Sequence, residues 1–488
     1  MPKRFGMGAL APIQIDRAAP RPLSKQLASA IREMIECGRL QSGARLPATR
    51  LLARELGVAR LVAVTAYEEL TVAGYLLSVS GAGTFVERRW RGAHNGGKTP
   101  GDRLPERARN SAGPSVSMRP VARRAFEIDH PSSDALPLQT WSRIASRCCA
   151  RGMRDALVDD DPAGYLPFRR AICEHLLETR GLRCDAGRVV VVSGLIQALD
   201  LTARVLVDPG DEVCFEEPGR PVLRAVLANA RARIVSVSVD DQGLMIDYAR
   251  RMAGRPRLIM VSSSRHHPLG VVLSKRRRHE LLDWHRSQDA WLFEDSSEHD
   301  LAVTAASLPP IAALDETGRT LLYGAFRSTV SPALRLGFLV VPDVLVDRFV
   351  AARILADGYR PPLEQLVLTE FMTSGQYSAH LRRIRRLYLE RQAALAAAVQ
   401  SHFGDHARRL SAEGGLNTAF HVSGPMDTLA EHAASVGLVV RSLGSFFAGL
   451  DARPSGMVLG HAVAEPEEIH GAVADLAALW TGLTSRSG

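Results

Sequence analysis

Small-molecule chemistry needs amines, carboxylates, imidazoles or anion-binding backbone at defined places, and amines are scarce in this chain. Its lysines are Lys3, Lys25, Lys98 and Lys275. Lys275 opens the run Ser-Lys-Arg-Arg-Arg-His-Glu-Leu-Leu, whose charges at helical spacing read as a solvated helix start. The stretch Tyr323-Gly-Ala-Phe-Arg-Ser-Thr-Val-Ser-Pro-Ala-Leu-Arg-Leu-Gly-Phe338 carries hydroxyls, Ser328 among them, and no lysine. A serine hydroxyl cannot form an imine with an aldehyde, so covalent amine chemistry has no donor there. His266, His267 and His299 are candidates for proton transfer, although core or surface histidines are commoner than catalytic ones. Asp295 supplies either a charge-holding carboxylate or an ordinary helix-capping acid. Ser193-Gly194 stands between an apolar run and a helical pattern, where free N–H groups favour a phosphate.

Strands and helices must position these groups. Apolar β-rich runs at Val189–Val192, Glu212–Phe215, Arg233–Val237, Leu258–Val261, Ala290–Phe293, Thr320–Tyr323 and Gly337–Val341 alternate with helical patterns. That alternation predicts an α/β sheet buried on both faces, with ligands in the crevice outside the strand ends. The 488 residues are too many for one ordinary domain, and 46% hydrophobic with 23% charged residues is a globular composition. No apolar run reaches membrane-span length and the start lacks a secretory core, so a cytoplasmic location is expected, with no membrane partner. The six cysteines show no paired metal spacing and read as reduced packing residues. No metal site is expected.

The charge is uneven. Residues 1–124 hold 21 Lys+Arg and 9 Asp+Glu, or +12; with +9 overall, the remainder is −3. A polyanion partner is expected for the first quarter alone. There Leu23, Leu27, Ile31 and Ile35 recur every fourth residue in a helix ending at Gly38. A short helix Ala48–Glu55, a turn at Gly57 and a helix from about Ala59 to Ala73 form a helix-turn-helix, and Gly74–Val86 looks like a two-stranded wing. Residues 89–124, rich in Gly, Pro, Ser and Arg without apolar period, read as a flexible linker.

Through Gly38-Arg-Leu-Gln-Ser-Gly-Ala-Arg-Leu-Pro-Ala-Thr-Arg50, Leu56-Gly-Val, Ala66-Tyr67-Glu68 and Gly83-Thr84-Phe85-Val86, residues 13–88 resemble the GntR-type winged helix. Residues 125–488 resemble a fold-type I pyridoxal-phosphate (PLP) aminotransferase through Asp161-Pro-Ala-Gly-Tyr, Ser193-Gly-Leu-Ile-Gln-Ala-Leu-Asp, Asp208-Pro-Gly-Asp, Glu217-Pro-Gly, His267-Pro-Leu-Gly, Trp291-Leu-Phe-Glu-Asp and Ser331-Pro-Ala-Leu-Arg-Leu-Gly. Together they resemble the MocR subfamily of GntR regulators. The fold class expected is thus α/β, a winged helix-turn-helix plus an aminotransferase-like domain.

The resemblance implies double-stranded operator DNA as partner, contacted through Thr49, Arg50, Arg60, Thr65 and Thr84, and a homodimer of head-to-tail, domain-swapped kind. It places the effector pocket at Ser193, Gly194, Asp295, Ser297, Ser328, Arg335, Arg220 and His266. Gapless alignment puts Ser328 where the cofactor lysine stands, Ser297 in place of a tyrosine, Arg220 in place of a stacking aromatic, and Val458 in place of a substrate-clamping arginine. Leu195 and Ile196 replace polar residues of the phosphate cup. In the winged helix, Ala59-Arg60-Leu61-Val62-Ala63 and Val79 replace groups that meet DNA. The expectation is a non-enzymatic regulator with no covalent cofactor, holding PLP or pyridoxamine phosphate (PMP) non-covalently, another anionic metabolite, or no ligand. An enzyme using unanchored pyridoxamine phosphate and a DNA-independent scaffold remain the alternatives.

Overall fold

The computed structural model describes residues 15–17, 21–36, 39–41, 43–79, 83–87, 125–152, 161–303, 308–358, 361–449 and 454–485. The expected linker 89–124 and the wing turn at 80–82 lie outside them. The chain divides into two units, residues 1–104 and 105–488.

In the first unit, α1 (Leu23–Glu36), α2 (Thr49–Glu55) and α3 (Arg60–Val72) precede an antiparallel pair, β1 (Leu76–Val79) and β2 (Gly83–Val86). The four-residue period of α1 buries Leu27, Ile31 and Ile35 against Leu52, Tyr67, Leu70, Leu76 and Val86. At roughly 1.5–3 kcal/mol per fully buried large apolar side chain, this small core supplies most of the favourable term. Tyr67 adds a hydrogen bond from its hydroxyl to the Pro47 carbonyl at 3.0 Å, tying α3 to the start of α2.

The second unit is built on an eight-stranded sheet of order β3 (Val189–Val192), β10 (Gly337–Val340), β9 (Thr320–Ala325), β8 (Trp291–Asp295), β7 (Leu258–Ser262), β4 (Glu212–Glu217), β5 (Arg233–Asp240) and β6 (Gly243–Leu244). All four residues of β3 and all six of β9 are buried, the pattern of strands covered on both faces. The β4, β5, β7, β8 and β9 ladders are parallel. β10 runs antiparallel to both β3 and β9. Its reversal follows from the short Phe326–Leu336 connection, which carries no crossover helix of the kind a parallel return requires. That connection contains Ser328 and Arg335.

A long helix, Gln376–Phe403, leads to a four-stranded antiparallel sheet ordered β11 (Ala407–Arg409), β12 (Asn417–Val422), β14 (Gly456–Gly460) and β13 (Arg441–Ser442). Helix Pro466–Thr484 packs back on the long helix. Among the described residues no helix is long and apolar enough to cross a membrane.

Candidate functional site

The C-terminal ends of β3, β4, β8 and β9 converge on a cavity of about 240 Å³. From β3 come Ser193 and Gly194; from the segment after β4, Arg220; after β8, Ser297 and Glu298; after β9, Arg327, Ser328 and Arg335; Asp129 closes it from the start of the unit. This is the crevice in which α/β sheets hold ligands. Gly194 (φ 124, ψ −178) adopts a backbone conformation open only to glycine.

Of the sequence-predicted pocket residues, Ser193, Gly194, Arg220, Ser297, Ser328 and Arg335 line the cavity. Asp295 and His266 are not on its wall. The Asp295 carboxylate accepts the Ser297 N–H at 3.0 Å, and burial, eased by Ser297, raises its pKa. The Asp295 carboxylate thus braces the turn after β8. His266 is buried, with Nε2 3.9 Å from the Glu216 carboxylate; burial lowers it to about 3. Burial, then the Arg220 charge, lowers His267 to about 3 as well, and burial with the Arg180 charge does the same for His299. All three imidazoles are neutral at neutral pH. The Ser193 N–H and hydroxyl both donate to Gln197 Oε1, at 2.7 and 2.8 Å, so this strand end is already engaged by its own helix.

Asp129 is the residue that sequence reasoning missed. Its carboxylate accepts from Arg220 Nη1 at 2.5 Å and Nη2 at 3.3 Å, and from Asn417 Nδ2 at 2.8 Å. Arg327 donates to its backbone carbonyl at 3.2 Å. Burial opposes ionisation of Asp129, but Arg220, His267 and Arg327 hold the carboxyl well below the usual carboxylate range. The only signal in the sequence was Arg220 itself, a cation that needs a partner once buried. Asp129, His267 and Glu298 offer donor atoms within 4.8 Å of one another. Both carboxylates already face guanidiniums, Arg220 and Arg265.

Among the described residues the cavity wall carries no lysine. Lys275 is exposed at the first position of helix Lys275–Gln288. Val458 is fully buried in an apolar cluster with Ala419, Leu443 and Phe446.

In the first unit, Arg50, Arg60 and Thr65 are exposed and Thr49 and Thr84 half-buried. Thr84 Oγ1 lies 3.2 Å from the cross-strand Ser78 hydroxyl. Leu61, beside Arg60, is 72% exposed, an apolar side chain on the face where the resemblance expects a polar one. Arg45 is a further basic residue here. Its guanidinium lies over Gly83 on the wing, so that a Cβ there would stand 3.0 Å from Nε.

Residues 129–432 match the family described as aminotransferase class I and II, and residues 23–86 match the bacterial regulatory proteins of the gntR family. The chain is 35% identical over 407 residues to "Probable rhizopine catabolism regulatory protein MocR" of Rhizobium meliloti, covering 80% of each. It is 27% identical to the HTH-type pyridoxine biosynthesis transcriptional regulator PdxR of Corynebacterium glutamicum, covering 95% of this chain and 97% of that one. Among solved structures, an archaeal alanine:glyoxylate aminotransferase superposes with a TM-score of 0.73 at 20% identity, over 79% of this chain and 99% of that one. LysN, an α-aminoadipate aminotransferase from Thermus thermophilus, does so at 0.72 and 22%, over 80% and 100%. These likenesses establish the fold, a winged helix and a fold-type I aminotransferase domain. With a GntR winged helix before an aminotransferase class I and II domain, and MocR as a relative along most of its length, this chain belongs to the MocR group of GntR-family transcriptional regulators.

Proposed function

We propose that this regulator is inactive as an aminotransferase and uses the aminotransferase-like domain as a reversible sensor of a small anion, coupled to operator binding by the winged helix as a homodimer. The observation that carries this reading is the hydroxyl of Ser328 on a cavity wall whose described residues include no amine. Those residues do not fit a PLP held as an imine, because an imine needs a primary amine and the wall offers hydroxyls, carboxylates and guanidiniums. The guanidiniums of Arg220, Arg327 and Arg335 converge on the same cavity and suit a ligand with phosphate or carboxylate groups. With Val458 apolar, a carboxylate would be met by Arg220 or Arg327.

Neutral His266, His267 and His299 speak against proton shuttling by imidazolium in an unanchored-cofactor enzyme. Signalling requires that the ligand prefer one of two DNA-binding states. The test is fluorescence anisotropy of a fragment upstream of the protein's own gene, titrated with the full chain, with and without pyridoxal phosphate. Specific binding that competitor DNA does not remove supports the regulator reading; binding to no fragment even at low salt supports a DNA-independent scaffold.

A further inference from the structure

We propose that Cys173 and Cys184 form a reversible intramolecular disulfide that staples the middle of helix Leu166–Arg180 to the segment feeding β3. Their sulfurs are 3.2 Å apart. A disulfide needs about 2.05 Å, so the two sulfurs must approach by only about 1 Å to bond. Cys173 lies on the helix, which ends at Gly181 (φ 64), and Cys184 follows in the turn before Asp185 accepts the Gly187 N–H at 2.6 Å. Val189 then begins β3, whose far end presents Ser193 and Gly194 to the cavity. A covalent tie at one end of β3 therefore acts on the strand that supplies the ligand crevice.

Both thiols are only partly buried, and Cys184 is flanked by exposed Arg183 and Asp185, so a small oxidant reaches it. The contact with Cys173 and, against burial, the Arg188 guanidinium hold the Cys184 thiol below its ordinary value, while the same contact and burial raise Cys173. Cys184, in the turn between exposed Arg183 and Asp185, is taken as the attacking group. Its thiolate displaces one thiolate from a low-molecular-weight disulfide, giving a mixed disulfide; the Cys173 thiol loses its proton and attacks Cys184 Sγ, displacing the second. Two protein thiols are oxidised to one disulfide and the small disulfide is reduced to two thiols. Of the other described cysteines Cys214 and Cys148 are poor competitors, and the exposed Cys149 is controlled for by substitution. Cys214 is fully buried, and burial pushes its thiol up to about 12. Cys148 points its thiol at the Glu370 carboxylate, 3.7 Å away.

The full-length protein is incubated with glutathione disulfide, and free thiols and peptide maps are read before and after dithiothreitol. The expected result is loss of two thiols per chain, a map joining the Cys173 and Cys184 peptides, and full recovery on reduction. Cys184→Ser prevents the loss, Cys173→Ala stops it at one thiol held as a glutathione adduct on Cys184, and Cys149→Ser leaves it unchanged. In the wild type, retention of all thiols, a glutathione adduct that persists on Cys184, or a bond joining other cysteines overturns the proposal. The wild-type measurement alone decides it, and it does not depend on DNA or ligand binding.

Discussion

Arg220 is a cation placed where the resemblance expects an aromatic ring, and Asp129 makes that placement tenable. Removing one member of a buried ion pair leaves the other charge uncompensated, at a cost of roughly 3–5 kcal/mol. Both partners are mostly shielded, with 22% and 15% of their side-chain surface exposed. Asp129→Ala also strips Asn417 of an acceptor, so denaturant unfolding is expected to show a loss of at least about 3 kcal/mol; a change under about 1 kcal/mol would mean that solvent already carries the Arg220 charge. The acid dependence has a definite sign. The Asp129 carboxyl is depressed in the folded state, so its stabilisation is complete above the unfolded carboxylate value near 3.9 and disappears as pH falls through the lower folded value. Asp129→Ala should therefore flatten stability below about pH 4. The sequence made Ser328, Ser297 and Arg220 legible because each breaks a recognisable motif. It hid Asp129, because the partners are 91 positions apart and the pairing exists only once the sheet has formed.

At the level of elements, the helix-turn-helix was readable from apolar period and turn residues, and α1, α2 and α3 fall within a residue or two of expectation. Their starts carry a cost that the pattern conceals. The N-cap residues of α2 and α3 are Ala48 and Ala59, neither of which offers a side-chain cap. Ala59→Ser supplies an oxygen to the open N–H groups and is expected to stabilise the winged helix by about 1 kcal/mol, seen as a higher melting temperature for that transition. Arg60→Ala should weaken DNA binding and reduce the slope of log affinity against log salt by about one if it meets a phosphate, leaving oligomeric state unchanged in sedimentation. Unaltered affinity would remove Arg60 from the interface. The Arg45 guanidinium lies over Gly83 of the wing, and if it meets a phosphate Arg45→Ala is expected to lower the same slope.

For the molecule as a whole, alternating strands and helices disclosed the parallel sheet, whereas the reversal at β10 depends on a connection length that periodicity does not report. Burial lowers four imidazoles, His266, His267, His299 and His461, to about 3. The unfolded chain therefore binds more protons below about pH 6.5, and each buried imidazole withdraws up to about 1.4 kcal/mol per pH unit. Burial raises Glu216 to about 7 and raises Asp295 and Glu298 as well, which works the other way but involves fewer groups. The melting temperature is thus expected to fall between pH 6.5 and pH 5, before most carboxylates titrate; a flat profile would show these imidazoles reachable by water. The most direct test of the central claim is reductive trapping. The full chain is mixed with pyridoxal phosphate, treated with borohydride, digested and mapped by mass spectrometry. The account predicts no visible imine band and no phosphopyridoxyl group on any cavity peptide, with pyridoxal phosphate removable by dialysis. A stoichiometric adduct on a residue lining the cavity would contradict it.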